Sequence, residues 1–156
     1  MKAGQNFALI TGVLFLMIGI SGFVPGLVKA PSAGTADFLD AGYGYLMGLF
    51  PINVPHNIVH LTVGVLGILS SIALGASRLY GRGLAFFYGA LAIMGLLPYT
   101  NTTLGLIPIY GNDVWLHALT AAIAFYFGFI DSPKLLDIVA EQEREYQRYS
   151  SSLNQS

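Results

Sequence analysis

The chain contains no cysteine, which excludes a disulfide, a thiolate metal site, an iron–sulfur cluster and a cysteine nucleophile. It is also poor in charge: 10% of its 156 residues are Asp, Glu, Lys or Arg, against roughly 25% in soluble domains. A net charge of -1, with no basic stripe, speaks against a nucleic-acid partner. No nucleophile–base pairing and no phosphate loop is visible, so the sequence leans away from an enzyme. What is present instead is apolar, at 54% of residues. The expected fold class is all-α, a polytopic membrane protein of one domain's length.

Four apolar runs predict spanning helices at about 7–25, 54–74, 80–97 and 114–130, each judged against the roughly 17–25 residues a bilayer core requires. A cleaved signal peptide competes with the first, because Lys2 precedes it and Val28-Lys29-Ala30 resembles a cleavage site. Pro31 and the length of the run favour a retained helix. Residues 29–47 read as a loop ending in a short apolar segment, and 99–112 as a second outer loop without Lys or Arg. An N-terminus inside places Lys2, Arg78, Arg82, Lys134, Arg144 and Arg148 on the cytoplasmic side and leaves Lys29 outside, a positive-inside pattern. This implies a cytoplasmic (inner) or thylakoid membrane location with both termini cytoplasmic. Residues 1–130 form the transmembrane domain, and 131–156 a cytoplasmic amphipathic helix and tail. That helix starts from Ser132 as N-cap and Pro133, carries Leu135, Leu136, Val139 and Tyr146 on one face, and ends near Tyr149.

One stretch occurs twice. GLFPINVPHNIVHLTVGVLG (48–67) and GLIPIYGNDVWLHALTAAIA (105–124) align at an offset of 57, so Gly48 meets Gly105, Pro51 meets Pro108, Ile52 meets Ile109 and His60 meets His117. In the first helices GVLFLM (12–17) matches GALAIM (89–94) at an offset of 77. The architecture expected is two tandem hairpins in parallel orientation, related by an axis along the membrane normal.

Helical spacing puts His56, His60, Gly64, Gly67, Ser71 and Gly75 on one stripe of the second helix, and Asp113, His117, Ala121, Ala124 and Gly128 on one stripe of the fourth. Ridges of small residues let helices approach closely in lipid. The expectation is that the two stripes face each other, bringing His56, His60, Asp113 and His117 together near the outer surface. At 1.5 Å per residue His60 lies about 21 Å from the inner end near Leu74, just inside a ~30 Å core. There an ionisable side chain needs a partner. One reading is capping and interhelical glue, with Asn112 or Asp113 starting the fourth helix and Asn53 or Asn57 the second. The other is a divalent metal, for which neutral imidazoles and a carboxylate are the binding forms. A haem or pigment is disfavoured, because ligation from both sides holds helices farther apart than small-residue ridges allow.

Asn53-Val-Pro-His56-Asn57-Ile-Val-His60-Leu with Gly64 and Gly67, the block Asn112-Asp113-Val-Trp115-Leu-His117, and the first-helix ending Gly19, Gly22-Phe23-Val24-Pro25-Gly26 carry a resemblance. Together they resemble a bacterial four-helix integral membrane family known as a domain of unknown function. The resemblance covers about residues 7–130; Val54, inserted between Asn53 and Pro55, departs from the family block without shifting the histidines. It implies a bacterial membrane protein and supplies no catalytic residues. The function expected is a non-enzymatic accessory or scaffold subunit in contact with lipids, other subunits or a second copy, with metal binding as the alternative.

Overall fold

The computed structural model describes residues 1–31 and 42–153. Five helices carry the described fold: α1 (Ala3–Ser21), α2 (Val54–Ser70), α3 (Leu74–Leu96), α4 (Asn112–Phe125) and α5 (Leu135–Leu153). α4 runs on into a π-helical turn, Tyr126–Ile130. Three segments, Ala3–Ser21, Leu74–Leu96 and Asn112–Ile130, are long and apolar enough to cross a membrane. α2 is equally apolar in character but has 17 residues, about 25 Å of helix.

The boundary between α2 and α3 differs from the expectation. α2 stops at Ser70, the turn is Ser71–Ala73, and Gly75-Ala-Ser-Arg78 opens α3 instead of closing α2. Two side chains set that turn. Ser71 Oγ donates to the Ile68 carbonyl at 2.7 Å, taking up an end carbonyl of α2, and the first N–H of α3, at Leu74, donates to Glu141 Oε2 at 3.0 Å. The third segment is therefore the longest helix, 23 residues.

Packing is strongest within α1–α2 and within α3–α4. The small-residue stripes do not face one another, which corrects the expectation. A Cβ built on Gly12 of α1 would lie 2.8 Å from the Gly64 oxygen, and one on Gly67 would lie 2.7 Å from the Gly12 Cα, so Gly64 and Gly67 seat α2 on α1. On the other side a Cβ on Gly128 would meet the Arg82 nitrogen at 2.8 Å, and one on Gly81 would meet the Ala124 oxygen at 3.5 Å. Ala124 and Gly128 thus seat α4 on α3, and Ala121 adjoins Gly89. Small residues recur on all four helices, so helical period gives the face but not the partner. The centre between the pairs is filled by Phe7, Phe15, Leu84, Tyr88 and Ala124, with Phe15 stacked on Tyr88 at 5.2 Å.

One end of the bundle gathers the N-terminus, the α2–α3 turn and the start of α5. Gln5 Nε2 donates to the Ile72 carbonyl and Lys2 pairs with Asp137 at 3.9 Å. α5 begins at Leu135, later than the expected Ser132 cap, with Asp137 accepting from the Lys134 N–H; it runs past Tyr149 to Leu153. The opposite end carries a small antiparallel sheet of β1 (Val28–Lys29), β2 (Gly44–Leu46) and β3 (Phe50–Ile52) in the order β1-β2-β3. The short apolar segment expected at the end of the first loop is this ribbon's second strand and turn, where Met47 and Gly48 have φ of 53° and 74°. The remainder of the loop, residues 32–41, lies outside the described residues, as does the end of the tail, residues 154–156.

Candidate metal centre

The repeated stretch builds the ribbon end of the bundle. Gly48 and Gly105 both hold positive φ, 74° and 81°, a conformation glycine adopts without penalty. The segments after them bury Pro51 and Ile52 in one copy and Pro108 and Ile109 in the other. Asn53 then caps α2: its Oδ1 accepts the His56 N–H at 3.0 Å. α4 starts differently, with Gly111 at the cap position and no side-chain cap. Neither Asn112 nor Asp113 caps it, and Asn57 does not start α2.

Asn53 and Asn112 instead bond across the molecule. Asn53 Nδ2 donates to the Leu106 carbonyl at 2.7 Å, and Asn112 Nδ2 donates to the Leu49 carbonyl at 3.1 Å. Leu49 and Leu106 are partners in the repeat, so each half gives one amide to the same point of the other. Tyrosines add a second tie: Tyr43 donates to Tyr45 at 2.9 Å, and its hydroxyl contacts that of Tyr110. Burial first, then bonding with Tyr110 and Tyr45, pushes the Tyr43 phenol above its ordinary value. Burial does the same to Tyr110.

Beneath this layer the first turns of α2 and α4 converge. His56, His60 and His117 are all buried, and each offers a ring nitrogen such that the three lie within 4.8 Å of one another. Ring centroids are 4.5 Å apart for His56–His60 and 6.2 Å for His56–His117. Asp113 stands at the edge, its Oδ2 3.8 Å from His56 Nδ1, too far for a hydrogen bond. Among the described residues, Nδ1 of all three histidines and Asp113 Oδ2 have no hydrogen-bond partner. The four expected site residues are therefore together, although the ridges below them part company.

Two walls of this chamber are missing from the sequence-based set. Phe15 of α1 lies 5.3 Å from His60 and Tyr88 of α3 lies 5.2 Å from His117, both measured between ring centroids. Tyr88 is buried, and its hydroxyl has no hydrogen-bond partner among the described residues. The available signal was its position as a phenol midway along an apolar run. Asn57 sits where a Cβ on Gly22 would strike its amide, which accounts for glycine at the end of α1.

Apolar helices of membrane length around a buried polar chamber define a class, an α-helical protein suited to a bilayer. The chain belongs to the family described as "Domain of unknown function (DUF4383)", which matches residues 5–130 and so covers α1 through α4. No curated protein and no solved structure matches it.

Proposed function

We propose that the protein is a four-span integral membrane protein of the cytoplasmic or thylakoid membrane. It is built as two parallel hairpins, α1–α2 and α3–α4, and serves as a non-enzymatic accessory or scaffold subunit. The observation that carries this reading is that Asn53 donates to the Leu106 carbonyl and Asn112 to the Leu49 carbonyl, so an asparagine of each copy bonds the same repeat position of the other. Backbone-close packing at Gly12–Gly64–Gly67 and Gly81–Gly128 favours a closed bundle over a channel, because no polar path runs between helices in such contact. The 17-residue α2 reaches across a core of ordinary thickness when flanking residues lie at the interface. Partners are lipids on the apolar belt and either another subunit or a second copy.

The basic residues support an orientation with both termini cytoplasmic. Lys2 and the α2–α3 turn share one end of the bundle through Gln5 and Ile72, and that end is the cytoplasmic one by the positive-inside pattern. The absence of native cysteine makes the test direct. With an impermeant thiol reagent on intact cells, Tyr99→Cys is expected to label, whereas Ile72→Cys labels after permeabilisation. Both sites are strongly exposed, and the reverse pattern overturns the orientation. Extraction from native membranes in mild detergent is expected to recover the chain with a stoichiometric partner or a second copy. Recovery as a lone monomer rejects the scaffold role.

A further inference from the structure

We propose that His56, His60, His117 and Asp113 bind one divalent late first-row transition-metal ion, with three imidazole nitrogens and one carboxylate oxygen as ligands. The inference rests on the chamber's own geometry and is independent of topology or scaffold role.

Three Nδ1 positions and Asp113 Oδ2 have no hydrogen-bond partner among the described residues, and neither has the Tyr88 hydroxyl at the chamber wall. If the rings carry their protons on the other nitrogen, all four histidine and aspartate atoms are acceptors; the three histidines each bring a ring nitrogen within 4.8 Å of the others, and Asp113 Oδ2 stands 3.8 Å from His56 Nδ1. A buried water has two protons to give and leaves two of them unsatisfied. A cation serves all four at once and offsets the cost of a buried carboxylate. The His56–Asp113 separation of 3.8 Å is too long for a direct bond but suits an ion between them, since zinc stands about 2.0–2.1 Å from nitrogen and oxygen ligands. The widest nitrogen spacing, 4.8 Å, has to close to about 3.3 Å for tetrahedral ligation, a shift within reach of imidazole rotation.

Interhelical glue accounts for the chamber less well. Glue is made of hydrogen bonds, and these four atoms make none among the described residues, whereas bonds that do join the halves belong to Asn53, Asn112, Tyr43 and Tyr80. A macrocycle fits worse still, because it takes two axial nitrogens and leaves the third of these buried rings without a role; the His60 and His117 centroids stand 4.5 Å and 6.2 Å from that of His56. Nitrogen-rich ligation favours the later divalent ions over magnesium or calcium.

The chain has three histidines and no cysteine, so every strong donor for such an ion is in this cluster. The test uses the full chain, purified in mild detergent without a polyhistidine tag and dialysed against Co2+ or Zn2+. Expected are one ion per chain, visible Co2+ absorption of tetrahedral character, and an affinity at least about 100-fold weaker in His60→Gln and in His117→Gln. The wild-type Tm should rise with Zn2+ and not with Mg2+, a readout that needs no variant. Wild-type protein that holds no ion and shows no Zn2+-dependent shift overturns the proposal. So does binding that is unchanged in the triple His56→Gln/His60→Gln/His117→Gln variant.

Discussion

Glycines at residue 67 and residue 83 occupy the same kind of helix and have opposite reasons to be there. A Cβ at Gly67 would lie 2.6 Å from the Tyr80 hydroxyl and 2.7 Å from the Gly12 backbone, while one at Gly83 meets nothing within 4 Å. Gly67→Ala is therefore expected to destabilise the protein by about 1–3 kcal/mol through overpacking. Gly83→Ala should stabilise it by about 0.5–1 kcal/mol through reduced chain entropy. Thermal unfolding in one detergent measures both, and equal signs refute the packing argument. Tyr43 makes a prediction in pH. Because burial and bonding raise its phenol, the stabilisation that its protonated form contributes is complete below the unfolded value of about 10 and is lost as pH rises through the folded one. Unfolding followed from pH 8 to 12 should show a steeper alkaline loss for wild type than for Tyr43→Phe; parallel curves exclude the linkage. At this scale the histidines and Asp113 were legible in the sequence, because a repeat that returns a polar residue in an apolar run needs a reason. Tyr88 and Phe15 were not, since no repeat marks them and a phenol in an apolar helix usually lies at an interface.

At the scale of elements, spacing made the faces of α2 and α4 readable but left their partners open. Gly64 and Gly67 fit the small residues of α1 as well as they would fit Ala121 and Ala124. Connection length does not decide either, since α2 and α3 share the short Ser71–Ala73 turn, yet α2 packs on α1, to which it is joined through residues 22–53. The α2–α3 boundary was hidden for another reason. Gly75, Ala76 and Ser77 resemble a helix end, and what turns them into a helix start is a carboxylate 67 residues away, Glu141, on the Leu74 N–H. α5 is otherwise thinly attached: its ion pair with Lys2 is about half exposed on both sides, which contributes little, and Ile138 lies beside Gly75. Deleting residues 135–156 should therefore lower stability by about 1–2 kcal/mol, the scale of a lost helix cap, and leave the bundle folded. Helical content and Tm of the truncated chain check this, and collapse of the bundle would show that α5 is integral to it.

For the whole molecule, the mostly helical fold, three of the four expected apolar spans and the nearness of the four candidate residues were legible in composition and repeat, while the four-span tandem arrangement belongs to the proposed reading. The small β-ribbon was not legible there, because Tyr43-Gly-Tyr-Leu-Met pairs with strands whose partners are distant or only two residues long. Each glycine-packed pair of helices is complete before the Ser71–Ala73 turn or after it; between pairs, Asn53 and Asn112 bond at the far end and the Tyr80 hydroxyl donates to the Val63 carbonyl. The peptide link at that turn is therefore a tether that raises local concentration more than it shapes either half. Fragments 1–72 and 73–156, expressed together from separate genes, should insert and recover a one-to-one complex, whereas either alone should aggregate. Failure to associate would make covalent continuity essential. Success would mean that this single chain is a heterodimer written as one polypeptide, whose two members can be varied, labelled or exchanged independently.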